Sequence, residues 1–123
     1  MTDATLQPLP DGVLPVGVER ADSRVVTTQL HKALTAFFVP LGLVHLHLFD
    51  MPAVITSARD SVHVPASKHG QGKAVDLRIF DKRPKWQPVY LLVLTTLGDR
   101  FGLTVFDESD LPGEAHIHVE VAE

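Results

Sequence analysis

The chain has 123 residues, of which 45% are hydrophobic, with 9 prolines and 8 glycines spread along it. This length and composition predict one compact domain with a single hydrophobic core. The 11 basic and 15 acidic side chains give a formal net charge of −4. No basic stripe is present that would neutralise a run of phosphates, which argues against a nucleic-acid partner. Because cysteine is absent, disulfides, thiolate metal sites and a cysteine nucleophile are excluded, and any metal ion must be held by His, Asp or Glu.

The N-terminal sequence has neither the positive segment nor the apolar stretch of a secretory signal. No apolar run along the chain is long enough to span a bilayer. We therefore expect a cytoplasmic protein with no membrane partner.

The first half of the chain predicts an arm followed by a helix. Residues 1–22, with several prolines and glycines, predict an extended N-terminal arm, and residues 23–123 predict the folded domain. Apolar residues recur at helical spacing from residue 23 to residue 39, which predicts an amphipathic helix that ends at Pro40. In residues 43–49, apolar residues alternate with His45 and His47, which predicts either a half-buried strand with an exposed histidine face or a tight continuation after the helix.

The second half predicts a sheet and a second helix. The predicted elements are strands at 53–57, 73–80, 103–106 and 115–121, and a helix that runs from Pro88 to Gly98. Polar or turn-rich loops at 61–72 and 107–114 connect them. This order predicts a small α+β domain with a mainly antiparallel sheet flanked by helices.

Two segments carry the residue types of a metal site. They are Ser67-Lys68-His69-Gly70-Gln71-Gly72-Lys73-Ala74-Val75-Asp76 and His116-Ile117-His118-Val119-Glu120. Zn²⁺ prefers nitrogen and oxygen donors in a tetrahedron, and a catalytic site commonly uses three protein ligands and leaves one position for water. The candidate ligands are His69, Asp76 and His118. The His-x-His pattern alone is weak, because it also occurs on solvated strand faces, and His45-x-His47 has it without a carboxylate motif.

The chain resembles the zinc D-Ala-D-Ala carboxypeptidases and peptidoglycan endopeptidases of the M15 type, which share the hedgehog/DD-peptidase fold with lysostaphin-like enzymes. The resemblance rests on the pattern Ser67-x-His69-x-x-Gly72-x-Ala74-x-Asp76 with the later His116-x-His118. It also covers the order of elements from about Thr27 to Glu123. The N-terminal arm lies outside it.

The resemblance implies a role for each matching residue. His69, Asp76 and His118 would bind Zn²⁺, and His116 would hydrogen-bond to the reacting water or to the oxyanion. Arg59 and Ser67 match family residues that face the substrate. A surface salt bridge for Arg59 and a turn position for Ser67 explain these two residues equally well.

The sequence contains two candidates for the general base. A peptidase needs a carboxylate within hydrogen-bond reach of the attacking water. The family places a glutamate at the end of the strand before His-x-His, which favours Glu108. Glu114 is the alternative, because strand alternation places it on the same face as both histidines. Glu120, Asp81 and Asp60 are candidates to orient the ligand imidazoles.

These residues favour a zinc-dependent metallopeptidase that hydrolyses a peptide bond in bacterial cell-wall peptides. The resemblance implies this peptidoglycan substrate, and a single small domain without a signal peptide fits a phage or prophage lysis enzyme, a virion-associated enzyme or a cytoplasmic dipeptidase. The alternative is a non-catalytic, hedgehog-like zinc domain that serves assembly or partner binding.

Overall fold

The computed structural model describes residues 9–59, 68–79, 86–110 and 115–122. In these residues there are two helices, α1 (Lys32–Phe49) and α2 (Gln87–Asp99), and five strands, β1 (Val18–Arg20), β2 (Ala53–Ser57), β3 (Ala74–Leu77), β4 (Leu103–Glu108) and β5 (His116–Val121). The strands form one sheet in the order β1-β2-β3-β5-β4. The β1–β2 pair is parallel and the other three pairs are antiparallel. The prediction of a small α+β domain is confirmed.

The two faces of the sheet differ in chemistry. In β5, Ile117 and Val119 are fully buried, whereas His116 and His118 are partly exposed, as period-two alternation requires. The buried side chains of the sheet pack against both helices in one core, which includes Leu34, Phe37, Phe38, Leu41, Ile55, Leu77, Tyr90, Leu94, Ile117 and Val119. The helices therefore cover the apolar face, and the polar face carries the candidate site.

Helix α1 begins later and ends later than predicted. It begins at Lys32, where the His31 imidazole accepts a hydrogen bond from the Ala33 amide at 3.0 Å, and Gln29 just before it has a positive φ of 58°, which is incompatible with a helix. The predicted end at Pro40 is wrong, because the helix continues to Phe49. Proline removes one helical hydrogen bond, and burial of apolar side chains on both sides of Pro40 offsets this loss.

The segment 43–49 is a continuation of the helix and not a strand. His45 is 1% exposed in the core, so the expectation of an exposed strand face is wrong for this residue. His47 is exposed at the surface. Within the segment predicted as an arm, Val18–Arg20 joins the sheet as β1.

The second half of the chain agrees more closely with the prediction. β2 has the predicted bounds, and α2 has a proline in its first turn and ends within a residue of Gly98. β4 is two residues longer than predicted and ends at Glu108. Within the described residues, neither helix has the length and hydropathy needed to cross a membrane.

Candidate metal centre

The open face of the sheet carries a cluster of four groups that could hold a metal ion. Asp76, Glu108, His116 and His118 each offer one ligand atom, and these atoms all lie within 4.8 Å of one another. The strand register explains the cluster, because Asp76 of β3 is directly opposite His118 of β5, and Glu108 of β4 is directly opposite His116. Cross-strand neighbours on one face are close enough for direct contact.

His69 reaches the same cluster from the turn that precedes β3. Its Nε2 is 3.4 Å from Asp76 Oδ1, and its ring centroid is 5.1 Å from that of His118. The other ring nitrogen, Nδ1, is 3.1 Å from the Ala58 carbonyl oxygen, to which it donates a hydrogen bond. This contact orients the ring with Nε2 directed at the cluster, an arrangement typical of metal-ligating histidines.

Gly72 holds this turn in place. Its φ is +74°, and an added Cβ would collide with the carbonyl oxygen of Gln29. The Gly72 carbonyl accepts a hydrogen bond from the His31 amide at 2.7 Å, and the Gly72 amide donates to the His69 carbonyl at 3.0 Å. The motif glycine therefore packs the turn that carries His69 against the start of α1.

His118 is held between two carboxylates. Its Nδ1 is 2.9 Å from Asp76 Oδ1, and its Nε2 is 2.8 Å from Glu120 Oε1. Glu120 was one of three candidates to orient a ligand imidazole, and the structure places it on His118. The other two, Asp60 and Asp81, lie outside the described residues.

The distances fit one metal ion near Asp76 Oδ1. Donors bound at about 2.1 Å in a tetrahedron lie about 3.4 Å apart. Asp76 Oδ1 is 3.4 Å from His69 Nε2 and 3.5 Å from His116 Nε2, and the shorter contact with His118 Nδ1 is a hydrogen bond. His69, Asp76 and His118, together with His116 and Glu108, thus supply more donors than a tetrahedral site requires.

Within the cluster, Glu108 and His116 are hydrogen-bonded to each other. Glu108 Oε1 is 2.6 Å from His116 Nε2, the distance of a strong hydrogen bond. The Glu108 side chain is 39% exposed, compared with 14% for Asp76. Glu108 is therefore a member of the cluster that solvent can reach.

The electrostatics of the cluster favour a bound cation. Burial disfavours the charged form of Asp76, but the hydrogen bonds from His118 and His69 outweigh it and hold the pKa of this carboxyl well below its usual range. For His118, burial acts to lower the pKa, but the hydrogen bonds to Asp76 and Glu120 raise it above the usual value of 6.5. A metal ion would therefore replace a proton on His118 Nδ1 when it binds.

The remaining predicted residues are placed as follows. Arg59 follows Ala58, whose carbonyl binds His69, and the Arg59 amide donates to the Val26 carbonyl at 3.1 Å. Its Nε is buried and has no hydrogen-bond partner among the described residues. Ser67 and Glu114 lie outside the described residues. The roles of these three residues remain predictions.

Two residues near the cluster were missed in the sequence. Lys68 Nζ donates to Glu120 Oε2 and to the Val121 carbonyl, both at 2.7 Å. Phe106 is 44% exposed, and its ring centroid is 5.8 Å from that of His118. The alternation in β4 could have indicated Phe106, because it shares a face with Glu108, but nothing local indicates the contact of Lys68.

No family model, curated protein or solved structure matches the chain. The structure itself shows a cluster of four residues that could hold a metal ion: Asp76, Glu108, His116 and His118. His69 lies beside this cluster.

Proposed function

We propose that this protein is a zinc-dependent peptidase that hydrolyses a peptide bond in bacterial cell-wall peptides. The observation that carries the proposal is that the four-residue cluster that could hold a metal ion contains a hydrogen-bonded carboxylate–imidazole pair, Glu108–His116, whose carboxylate is open to solvent. Such a pair is what hydrolysis requires beyond metal binding. The substrate class rests on the M15-type motif pattern.

The metal ligands in this proposal are His69 Nε2, Asp76 Oδ1 and His118 Nδ1. The first two are separated by 3.4 Å, the distance expected for two donors on one tetrahedral ion. His69 and His118 each bind a protein oxygen through the other ring nitrogen, which orients the rings. The nitrogen and oxygen donors are compatible with Zn²⁺, and the choice of this metal rests on the M15-type motif pattern.

Bound Zn²⁺ would polarise the scissile carbonyl and acidify the attacking water. Glu108 would accept the proton of that water and return it to the leaving amine, since its carboxylate borders the cluster and is open to solvent. His116 would donate a hydrogen bond to the oxyanion that develops on the carbonyl. Phe106 would form an apolar wall for a substrate side chain, because it is exposed next to His118.

Hydrolysis of purified peptidoglycan by the zinc-loaded protein tests the proposal. We expect release of new amino groups that stops when a chelator removes the metal and resumes on addition of Zn²⁺. Glu108→Gln should lower kcat by about 10²- to 10⁴-fold, the range for loss of a general base. The control is Asp107→Asn, since Asp107 is the adjacent carboxylate of β4 and faces away from the cluster.

Either of two results would reject the peptidase. One is release that persists in the chelated protein. The other is no release from a protein that carries one equivalent of zinc, when assayed on both intact peptidoglycan and its soluble peptides. A Glu108→Gln variant that keeps full activity would move the general base to another residue, with Glu114 as the next candidate.

The second candidate is a non-catalytic zinc domain that serves assembly or partner binding. The observation that favours it is the short contact between Glu108 and His116, because a carboxylate oxygen held at 2.6 Å by an imidazole is engaged as a hydrogen-bond acceptor. For this candidate we expect zinc in equimolar amount and no release of amino groups. Neither the wild type nor Glu108→Gln would then release amino groups from peptidoglycan or from its soluble peptides.

A further inference from the structure

Lys68, Glu120 and His118 form a continuous chain of hydrogen bonds that ends at the metal cluster. Lys68 Nζ donates to Glu120 Oε2 at 2.7 Å, Glu120 Oε1 accepts from His118 Nε2 at 2.8 Å, and His118 Nδ1 is 2.9 Å from Asp76. Each carboxylate oxygen of Glu120 therefore has its own donor. The Glu120 carboxylate can rotate only if both contacts break.

The chain joins two parts of the protein that are distant in sequence. Lys68 belongs to the turn that carries His69, and its Nζ also donates to the Val121 carbonyl at the end of β5. The Lys73 amide closes the turn on the Lys68 carbonyl at 2.8 Å, and the Val121 amide donates to the Lys73 carbonyl at 2.8 Å. The ammonium group is thus anchored at a fixed position relative to the strand that carries His118.

We propose that Lys68 and Glu120 are a positioning pair that holds the His118 imidazole with Nδ1 directed at the metal. The Lys68 ammonium contacts Glu120 and the Val121 carbonyl, and it acts on His118 through Glu120. The inference rests on the proposed metal-dependent function and adds a determinant of metal affinity that the motif pattern does not contain.

The physical basis of the positioning is that the Glu120 carboxylate sets the orientation of the His118 ring, and with it the direction of both ring nitrogens. An imidazole on a strand can rotate about its χ2 torsion, and metal binding must stop this rotation. Glu120 stops it in advance by accepting the Nε2 proton, and Lys68 keeps Glu120 from turning away. Lys68 and Glu120 are partly shielded, with side-chain exposures of 29% and 22%, so solvent competes only in part with these bonds.

Simple charge arguments predict the opposite sign for Lys68. Removal of a cation near a metal site should strengthen cation binding, because the repulsion between the two charges is lost. Removal of a positioning residue should weaken it. The direction of the change in metal affinity therefore separates the two roles.

The experiment measures the Kd of Co²⁺, from its visible absorption, and the Kd of Zn²⁺, by competition with a chromophoric chelator. Glu120→Ala should weaken binding by about 10- to 100-fold, the range for loss of a group that orients a ligand histidine. Lys68→Met should weaken it in the same direction by about 10-fold or less. Lys68→Arg should retain most of the affinity, since a guanidinium supplies the same charge and donors.

The matched controls remove the same charges elsewhere. Lys32→Met acts at the start of α1, and Glu19→Ala acts on β1. Both replaced side chains are exposed, and neither belongs to the cluster. Both should bind Co²⁺ like the wild type. Thermal unfolding of every variant checks that the fold is kept.

A second readout needs no metal. The ring Nε2 proton of His118 should give a slowly exchanging NMR signal in the metal-free protein, because it is bound by Glu120. The signal should disappear in Glu120→Ala and exchange faster in Lys68→Met. Unchanged exchange in both variants would overturn the proposal even if the peptidase activity stands.

Metal affinity that rises or stays the same in Lys68→Met would also overturn it. A wild-type protein that binds no metal would instead reject the proposed function, while the exchange of the Nε2 proton would still report on the positioning pair. The two failures are therefore distinguishable.

Discussion

Two histidines of this protein, His45 and His118, have pKa values that are shifted in opposite directions. His45 lies in the core between α1 and α2, where its ring makes T-shaped contacts with Phe49 and Tyr90 at 5.4 and 5.3 Å. Burial lowers the pKa of His45 to about 4. His118 lies on the open sheet face between two carboxylates, and its pKa is raised.

The difference shows that partners outweigh burial in setting the charge of a histidine. Both rings are largely shielded from water, which disfavours the imidazolium form. His45 Nε2 is hydrogen-bonded to the Tyr90 hydroxyl at 2.9 Å, a neutral group that does not repay this loss. His118 has the carboxylates of Asp76 and Glu120, which do. A cation, whether a proton or a metal ion, is therefore favoured at only one of the two places.

We expect the largest effect from replacement of Asp76, because this removes one of the two carboxylates that distinguish His118 from His45. We expect Asp76→Asn to weaken metal binding by more than about 100-fold, beyond the range for a residue that only orients a ligand. In the metal-free protein it should also lower the pKa of His118, because the largest favourable hydrogen bond to the imidazolium loses its charge. Metal titration and a histidine NMR titration measure the two effects.

Asp107→Asn is the matched control, since it neutralises a carboxylate on the other face of the neighbouring strand. It should change neither quantity. An Asp76→Asn variant with wild-type metal affinity would exclude Asp76 as a ligand.

Replacement of His45 should change the pH dependence of stability. Because the pKa of His45 falls from 6.5 to about 4 on folding, the unfolded chain binds more protons between these two values. The free energy of unfolding therefore contains a contribution that is fully present above pH 6.5 and is lost as the pH falls toward 4. A shift of this size corresponds to at most about 3 kcal/mol.

We expect His45→Gln to remove this contribution, because glutamine can keep a hydrogen bond to Tyr90 but does not titrate. The measurement is urea unfolding of both proteins from pH 7.5 to pH 4, and the quantity of interest is the difference between them at each pH. The site carboxylates titrate in both proteins and cancel in that difference. A difference that does not vary with pH would show that the pKa of His45 does not change on folding.

Much of the site could be predicted from the sequence because β5 alternates strictly. Apolar residues at every second position fix the register of a strand, so the face that carries His116 and His118 follows directly. The same reasoning failed for His45 and His47, because a short apolar run interrupted by histidines fits a helix as well as a strand. Tertiary contacts decide that case, since α1 continues past Pro40 where its apolar side chains are buried.

The role of Lys68 could not be predicted in this way. Its contact with Glu120 joins residues 52 positions apart, and no local periodicity encodes such a pair. A lysine between Ser67 and His69 is equally typical of a solvated turn. Only the packing of the turn against the end of β5 gives this side chain a defined partner.

A comparison of Gly72 with Gly102 separates two causes of destabilisation, backbone strain and steric collision. Gly72 and Gly102 have nearly equal positive φ angles of +74° and +72°, but a Cβ on Gly102 would have no described atom within 4 Å, whereas one on Gly72 would collide with the Gln29 carbonyl. Alanine at either position costs about 1–2 kcal/mol for the left-handed backbone. The collision should add about 1–3 kcal/mol at Gly72 only.

We therefore expect Gly72→Ala to lower the free energy of unfolding by more than Gly102→Ala, as measured by urea unfolding. Gly72→Ala should also weaken metal binding, because the turn that it displaces carries His69, whereas Gly102→Ala should not. Equal losses of stability in the two variants would mean that the turn can move away from Gln29 without cost. Weaker metal binding despite equal losses would show that the position of the turn that carries Lys68 and His69 contributes to metal affinity.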